Sequence, residues 1–406
     1  MSRRPLLGIA VMMQVLIIRT QVPVLAQLSF IGLGSLPGQS GSYANGISAD
    51  GTTVVGYGPV ADGLRAYRWT QPGGLEDLGT ITNGFASYGR GVSANGAVMC
   101  GDASSPSVNN VAVRWTGGTI QPLGYLPGHN HSGASSISAD GNAICGHSTS
   151  GPTTPRAFRW TSTGGMQNLG LLPGQTAASA SDISADGNVV VGSSGPYPFR
   201  WTPATGMQSL DLLPGADMGF ALAVSGDGLV ATGSMGTSTN RYMFRWTAGA
   251  GLQNLGALPG STFAWGSSIN GDGSVIVGLS WIETGYRAVL WSAGTGMIDL
   301  NDYLAQQGID LTGWVLTESR GVSADGRIIV GDGERNGVPE AWLIRLPECQ
   351  GDTNGSGTRD GLDVPGFVTC VIGGTAGGAC ACSDMNGDSA LDAVDLSMFV
   401  QTLLTP

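Results

Sequence analysis

Short apolar segments separated by glycine-rich turns recur through most of this chain at a nearly constant interval. One copy reads Leu-Gly-Leu-Leu-Pro-Gly at residues 169–174, Ser-Asp-Ile-Ser-Ala-Asp-Gly at 181–187, Val-Val-Val-Gly at 189–192 and Phe-Arg-Trp-Thr at 199–202. The Asp-Gly or Asn-Gly turn marks each copy and begins at Asp50, Asn95, Asp140, Asp186, Asp227, Asp272 and Asp325. A period of about 45 residues is typical of solenoids and propellers.

Each copy divides into four short strands, and this number favours a propeller. In the first copy we predict strands at residues 43–48, 52–57, 66–70 and 75–78. The glycine after Asp50 supplies the positive φ that the tight turn between the first two strands requires. Tyr67 and Trp69 are two residues apart in the third strand, so both point to one face and pack against the neighbouring copy. The predicted fold class is therefore all-β, a seven-bladed β-propeller.

The two ends of the repeat region complement each other. Residues 28–34 match the last strand of a copy, whereas the seventh copy stops after residues 340–345 and lacks that strand. An open ring would leave sheet edges unpaired. We therefore predict that the N-terminal strand closes the seventh blade, and that the propeller covers residues 27–346.

Arginines alternate with the aromatic residues of the third strands and should point to the opposite face. Buried guanidinium groups need a carboxylate or carbonyl partner because an unpaired buried charge is costly. Each is predicted to bind a backbone carbonyl or a turn aspartate. The five residues are Arg68, Arg114, Arg159, Arg200 and Arg245.

Residues 1–26 have the pattern of a secretory signal peptide. Arg3 and Arg4 precede an apolar run at residues 6–18, and small residues precede a cleavage site after Ala26. The run is shorter than the roughly 20 residues that span a bilayer, and no later segment could span one. We expect export to the extracellular space or cell surface, with the periplasm as an alternative.

Composition excludes some functions. The formal charge is −11, whereas phosphate binding requires clustered cations, so no nucleic-acid partner is expected. The chain contains no lysine, which excludes a lysine nucleophile. We find no Ser-His-acid set, zinc spacing or phosphate loop, and we predict no catalytic residue.

Aromatic and basic departures from the repeat gather near the first strand of each copy, on the side where the loops vary most. Variable loops on a rigid scaffold often bind ligands, although loop drift without function is the alternative. The predicted ligand-binding residues are Tyr43, Tyr88, Arg90, His131, Phe220, Trp265 and Arg320. Acids that depart from the repeat, and that an enzyme could use in pairs, are Asp102, Asp182, Asp217, Glu283, Glu318 and Glu334.

The composition changes after residue 346, where the repeat ends and carboxylates cluster in two similar loops. Oxygen ligands at positions 1, 3, 5, 7, 9 and 12 of such a loop surround one Ca²⁺ ion, as in EF-hands. The first set is Asp352, Asn354, Ser356, Thr358, Asp360 and Asp363, and the second is Asp384, Asn386, Asp388, Ala390, Asp392 and Asp395. We predict two Ca²⁺ sites in a small helical domain at residues 347–406.

The cysteines fall into two groups. Cys349, Cys370, Cys380 and Cys382 lie in the C-terminal segment of a chain predicted to be exported, where disulfides are favoured, and three pairings are open. Cys100 and Cys145 occupy equivalent strand positions in adjacent copies. We expect these two to be buried small side chains, with a bridge between copies as the alternative.

Two family resemblances follow from these motifs. The repeat, with Leu-Pro-Gly, Ile-Ser-Ala-Asp-Gly, Val-Val-Gly and Phe-Arg-Trp-Thr, resembles the HAF repeats of exported bacterial proteins over residues 28–346. The duplicated calcium loop, each copy followed by an apolar helical stretch, resembles a type I dockerin. That resemblance implies a cohesin-like partner bound through residues around 364–368 and 396–400, although the added cysteines and the short linker depart from the family.

Three functions stay open from sequence. The first is a non-catalytic exported propeller that binds a glycan or a protein and is anchored to a cohesin-like protein or a cell-surface component by its calcium module. The second is a polysaccharide-degrading hydrolase or lyase with a dockerin. The third is a structural protein of the cell surface.

Overall fold

The computed structural model describes residues 28–106, 108–151, 154–346, 361, 363–373, 383, 385 and 391–404. These residues are mostly β-strand, which confirms the predicted all-β class. The first strand is β1 (Ser29–Gly34). Together with the strands that follow, it forms seven groups of four antiparallel strands, called units one to seven here in the order of the repeats. Units one and two, and units five and six, are further joined into eight-stranded sheets by parallel pairs, Leu64 opposite Ala86 and Arg241 opposite Phe263.

Units one to four contain sixteen strands. Unit one consists of β2 (Tyr43–Ile47), β3 (Thr53–Val60), β4 (Gly63–Thr70) and β5 (Gly74–Asp77), and unit two of β6 (Ala86–Val92), β7 (Val98–Ser105), β8 (Val108–Thr116) and β9 (Thr119–Gly124). Unit three consists of β10 (His131–Ile137), β11 (Ala143–Thr149), β12 (Arg156–Thr161) and β13 (Gly165–Asn168), and unit four of β14 (Ala178–Ile183), β15 (Val190–Ser194), β16 (Tyr197–Thr202) and β17 (Gly206–Ser209).

Units five to seven complete the repeat region. Unit five consists of β18 (Met218–Val224), β19 (Val230–Gly236), β20 (Arg241–Thr247) and β21 (Gly251–Gly256), and unit six of β22 (Phe263–Ile269), β23 (Val275–Ile282), β24 (Gly285–Ser292) and β25 (Gly296–Asp299). Helix α1 (Leu300–Gln306) then leads to unit seven, which consists of β26 (Trp314–Val322), β27 (Ile328–Arg335), β28 (Val338–Arg345) and β1.

The N-terminal strand β1 is the fourth strand of unit seven. It pairs antiparallel with β28, from Ser29 opposite Arg345 to Gly32 opposite Trp342. Leu33 is 5% exposed and belongs to a core cluster that joins units seven and one. The two ends of the repeat region are therefore held together by a β-ladder and by apolar packing.

Backbone hydrogen bonds link the Asp-Gly turns of successive units. The amide of Asp50 donates to the carbonyl of Ala94, and the series continues through every unit. The last amide, that of Ala324, donates to the carbonyl of Ala49 at 3.0 Å, so the series returns to unit one. The intermediate donor–acceptor pairs are Ala94–Ala139, Ala139–Ala185, Ala185–Gly226, Asp227–Gly271 and Gly271–Ala324.

The turns themselves are fixed by a serine and an aspartate two residues apart. In unit one the Ser48 hydroxyl donates to Asp50 Oδ1 at 2.6 Å and accepts from the Thr53 amide at 2.9 Å. Unit six has Asn270 in place of the serine, and its Oδ1 accepts from the Val275 amide at 2.9 Å. Side chains thus satisfy backbone groups that the tight turn would leave without a partner.

The predicted arginine contacts are confirmed for three of the five residues. Arg159, Arg200 and Arg245 donate to the carbonyls of Gly187, Gly228 and Gly273, each the glycine of the next unit's turn. For Arg68 the prediction is wrong, because Glu76 lies directly opposite on β5 and binds the guanidinium at 2.5 Å. Arg114 Nε is buried without a hydrogen-bond partner in the described chain, and nothing in the structure explains it.

Cys100 and Cys145 are free and fully buried. Burial raises the pKa of the Cys100 thiol to about 12. Their interpretation as small core side chains is confirmed, and the alternative bridge between copies is wrong.

The helices outside the repeats are short. Helix α1 precedes unit seven, and the Asp299 side chain caps it by accepting from the Asn301 amide at 2.8 Å. In the C-terminal segment, α2 (Val364–Gly373) and α3 (Ala393–Leu404) contact each other through Phe367 and Phe399, whose rings stack at 3.9 Å. No helix in the described part of the chain is long and apolar enough to cross a membrane.

The contribution of β1 to stability can be measured with one substitution. Leu33→Ala removes a buried side chain, so we expect the free energy of unfolding in urea to fall by about 2–5 kcal/mol. The control Leu229→Ala changes a side chain that is 57% exposed, and it should change this energy by less than about 0.5 kcal/mol. Equal small effects would contradict the packing of β1 into the core.

Candidate functional site

The first strand of every unit contains a β-bulge at the same position. The register shift leaves one residue without a cross-strand partner, for example between Gly89 and Gly91 in unit two. A bulge re-aims its extra side chain and bends the strand. The seven bulged residues, called the central ring here, are Asn45, Arg90, Ser135, Ser181, Leu222, Ser267 and Arg320.

All seven residues of the central ring line one cavity of about 650 Å³. It lies on the side where the first strands begin. A narrower space of about 240 Å³ continues between the first strands towards the Asp-Gly turns. The remaining side chains that define the cavity's chemistry are Asp102, His147, Phe220, Arg241, Trp265 and Glu318.

Arg90 is held by a carboxylate from its own unit. Its Nε lies 3.3 Å from Asp102 Oδ1, and Asp102 Oδ2 accepts from the Asn110 side chain at 3.1 Å. Asp102 is 6% exposed, so its charge requires these donors. In the described chain the Nη groups of Arg90 have no hydrogen-bond partner. Its side chain is 43% exposed, so these groups are available to a ligand.

Arg320 occupies the equivalent position in unit seven and contacts two carboxylates. Its Nη2 lies 3.0 Å from Glu318 Oε2, and its Nε lies 3.0 Å from Asp332 Oδ2. Burial raises the pKa of Asp332 to about 6, although Arg320 acts in the opposite direction. Glu318 also accepts from Trp265 Nε1 at 3.3 Å and from the Ser267 hydroxyl at 2.9 Å, which orients both side chains at the cavity wall.

Arg241 differs from the other two cavity arginines. Its guanidinium lies over the Phe220 ring at 5.5 Å from the centroid, and its Nε donates to the Thr237 carbonyl at 3.3 Å. No carboxylate contacts it among the residues that the structure describes. Arg241 therefore contributes a positive charge to the cavity that no acid of the described residues neutralises.

His147 lies at the cavity wall, where Asp102 and Arg90 both act on it. Burial lowers the pKa of its imidazole, Asp102 raises it and Arg90 lowers it further. The net shift is downward, so the neutral imidazole is favoured at neutral pH.

Asp182 is the acidic residue that lines the narrower space. Its carboxylate accepts from the amides of Ile183 and Val224, each at 2.8 Å. Burial nevertheless raises the pKa of Asp182 to about 6, and the hydrogen bond from Ser136 only partly offsets this. The carboxylate also joins the first strands of units four and five.

The predicted ligand-binding residues separate into three groups. Arg90, Phe220, Trp265 and Arg320 line the cavity together. Tyr43 and Tyr88 lie beside it, both against Tyr57, with ring centroids 4.9 and 5.0 Å away, and Arg90 covers Tyr88 at 5.4 Å. His131 does not line the cavity, and its Nδ1 contacts the Asn130 side chain.

Sequence reasoning missed several cavity residues. It did not single out Asn45, His147, Ser267 or Arg241. The repeat does offer a way to find some of these residues. In several units the residue that directly follows the second-strand glycine faces this region, and these residues are Tyr57, Asp102, His147, Ser234 and Asp332. Asp102, Asp182 and Glu318, recognised as departures from the repeat, do reach the cavity or the space below it.

The calcium loops lie almost entirely outside the described residues. Only Asp363, Asp392 and Asp395 of the twelve predicted ligands are described, and the C-terminal cysteine pairing also stays a prediction. Asp363 and Asp395 are fully buried, and Asp395 accepts from the amides of Met385 and Asp392 at 2.7 and 2.8 Å. In the described chain no group of three His, Cys, Asp or Glu side chains could hold a metal ion.

The raised pKa of Asp182 predicts how stability depends on pH. A carboxyl with a raised folded-state pKa stabilises most below its unfolded pKa, and this contribution is lost as pH rises through about 6. Between pH 4 and pH 7, Asp182→Asn should therefore gain about 2 kcal/mol of unfolding free energy relative to the native chain, measured in urea.

Asp186→Asn is the matched control, because hydrogen bonds from Ser184 and Asn188 lower the pKa of Asp186. That group stabilises above its unfolded pKa and loses this contribution as pH falls, so its variant should show the opposite sign. An Asp182 variant whose stability difference is independent of pH would contradict the burial of this charge.

Comparisons with known proteins support the fold. No family model and no curated protein matches this chain. An oligogalacturonate lyase from Vibrio parahaemolyticus is similar at a TM-score of 0.51, with 12% identity over 79% of this chain and 98% of that one. A virginiamycin B lyase from Staphylococcus aureus is similar at 0.50, with 14% identity over 79% of this chain and 100% of that one. Likenesses at this identity show a propeller-type β fold and carry no function across.

Proposed function

We propose that the seven units form a closed seven-bladed β-propeller whose central cavity binds an acidic sugar without transforming it. Support for closure comes from the pairing of β1 with β28 and from the turn-to-turn bonds that return to Ala49. Export, as an extracellular or cell-surface protein, belongs to the same proposal and rests on the pattern of residues 1–26.

We infer the class of ligand from three arginines that line one cavity, Arg90, Arg241 and Arg320. Arg241 has no acid partner in the described chain, and the Nη groups of Arg90 have no hydrogen-bond partner there. Guanidinium groups bind carboxylates through paired, charge-assisted hydrogen bonds. A carboxylated ligand therefore suits this cavity, although the chain as a whole is acidic.

The other cavity side chains favour a sugar over a simple carboxylate. Phe220 and Trp265 offer aromatic faces, while Asn45, Ser135 and Ser181 offer hydrogen-bonding groups to hydroxyls. A cavity of about 650 Å³ is within the usual range for small-molecule sites. The combination of charge, ring faces and hydroxyl partners matches a hexuronic acid, one class of the glycan ligands considered from sequence.

A lyase or hydrolase acting on an acidic polysaccharide is the second candidate function. His147 favours it, since a neutral imidazole in a cavity with arginines is suited to remove a proton from a carbon next to a carboxylate. Against it, the carboxylates Asp102, Glu318 and Asp332 are each engaged by an arginine. The two structures named above are lyases, so an elimination assay accompanies the binding measurement.

The C-terminal segment is proposed to be a calcium-dependent docking module. The twelve ligands named above would hold two Ca²⁺ ions, and the ions would order the loops ahead of α2 and α3. Val364, Val368, Leu396 and Val400 are 38–46% exposed on these helices, as an interface with a cohesin-like protein or a cell-surface component would require.

Ligand binding is tested with Arg241→Gln. Galacturonate should bind the native chain, whereas neutral galactose should bind much more weakly because it lacks the carboxylate. The variant should lose about tenfold or more in affinity for galacturonate, measured by isothermal titration calorimetry.

Arg68→Gln is the control, because Arg68 pairs with Glu76 on the outer strand and does not line the cavity. Equal affinity for galactose and galacturonate, or unchanged binding by the Arg241 variant, would refute an acid-specific site. Formation of an unsaturated product, detected by ultraviolet absorbance, would favour the lyase instead.

Calcium binding is tested by titration of the chelator-treated full chain. Two Ca²⁺ ions should bind per chain, and Asp363→Ala should remove one of them, because a position-12 carboxylate contributes strongly to such a loop. Asp272→Ala, in a repeat turn, should leave both. A native chain that binds no Ca²⁺ would end the docking proposal.

A further inference from the structure

Unit six carries a row of aromatic side chains that begins at the cavity and runs outwards. Trp265 lines the cavity, and the Phe263 ring lies 5.4 Å from it, centroid to centroid. Phe263 pairs across the sheet with Trp281, and Trp281 pairs with Tyr286. These four residues, called the aromatic row here, span the strands β22, β23 and β24.

All members of the aromatic row lie on one face of the sheet. Residues two apart on a strand share a face, and so do residues directly opposite each other on paired strands. Val277 and Leu290 lie on this same face, and they pack against unit seven below the row. The row therefore lies on the face of unit six that packs against unit seven, at the end of the sheet where β22 begins. Glu318 of unit seven contacts Trp265 on this face.

The outer half of the row is open to solvent. Trp281 is 42% exposed and Tyr286 is 49% exposed. Single exposed aromatic residues are common on protein surfaces, but a contiguous group beside a cavity is typical of a binding surface. Three strands at the usual spacing of about 4.8 Å give the row a length of roughly 10 Å, enough for more than one sugar ring.

The other six copies of the repeat show that the fold does not require these rings. The residue at the position of Trp281, three after the second-strand glycine, is Pro59, Ser104, Thr149, Gly195, Gly236 or Glu334. Leu64 and Pro339, which pair with two of these residues, stand where unit six has Tyr286. Packing between units thus proceeds without an aromatic at either position, so packing does not account for the row.

The arginine beside the row already has an acidic partner. Arg287 follows Tyr286, but it donates to the Thr284 hydroxyl at 2.8 Å and lies 3.6 Å from Asp299. A ligand on the row would therefore meet ring faces rather than a free arginine. Sugar rings present apolar C–H faces that suit such a surface, and the cavity arginines can bind the carboxylate of an acidic sugar.

We propose that the aromatic row is an extended subsite for an oligosaccharide. The acidic sugar at one end of the ligand occupies the cavity, and the following sugar units stack outwards on Phe263, Trp281 and Tyr286. This inference rests on the proposed acid-binding function of the cavity, and it adds that the natural ligand is an oligosaccharide rather than a single sugar.

The test compares galacturonate with trigalacturonate on the full chain. The native chain should bind the trisaccharide about tenfold more tightly than the monosaccharide. The double variant Trp281→Ala/Tyr286→Ala should lose that preference and keep its affinity for galacturonate, since the cavity is unchanged. Trp281→Phe, which retains a ring, should keep most of the preference.

Phe85→Ala is the matched control, because Phe85 is 48% exposed but precedes β6 in unit two, away from the row. It should change neither affinity. A double variant that keeps the trisaccharide preference, or a native chain that binds both ligands equally, would overturn the subsite and leave the cavity proposal standing. A native chain that binds neither ligand would overturn both.

Discussion

The backbone hydrogen bonds between successive Asp-Gly turns are the constraint on which the rest of the structure depends. They hold the inner ends of the seven units against one another, and the last bond joins Ala324 to Ala49. In most turns a serine and an aspartate satisfy the local backbone, as Ser48 and Asp50 do, and asparagine replaces one of them in units two and six. Arg159, Arg200 and Arg245 add a second tie, each reaching the turn glycine of the next unit.

Because the units are held together at their turns, the positions of the bulged residues next to the turns are also fixed. The bulge in each first strand lies just above the turn and presents one extra side chain to the central space. Since the bulge exists in all seven units, the backbone sets the position and the side chain is free to vary. The residue types of the central ring differ between units. Three successive units have Arg320, Asn45 and Arg90, and the other four have serine or leucine.

Most charged side chains around the cavity are paired with groups of opposite charge. Asp102, Glu318 and Asp332 are nearly buried, and such carboxylates are stable only when donors surround them. Arg90 and Arg320 provide those donors, which fixes the arginines while leaving part of each guanidinium towards the cavity. Arg241, held by an aromatic face and a carbonyl, adds one guanidinium that no acid of the described residues contacts.

The amino-acid pattern alone was enough to predict the repeat, the four strands of each copy, the turn chemistry and the burial of Cys100 and Cys145. These features depend on local or periodic sequence patterns, so each copy of the repeat predicts them independently. It also marked Arg90, Phe220, Trp265 and Arg320 as unusual, because they depart from the repeat.

Which of these exceptional residues lie together depends on the three-dimensional arrangement of the units. His131 and Arg320 look alike as basic exceptions near a first strand, yet one contacts Asn130 and the other lines the cavity. Arg241 and His147 were overlooked because they lie on third and second strands, and their approach to the first strands depends on how whole units are oriented about the centre. That orientation comes from contacts between residues tens to hundreds of positions apart, which a pattern within one copy does not encode.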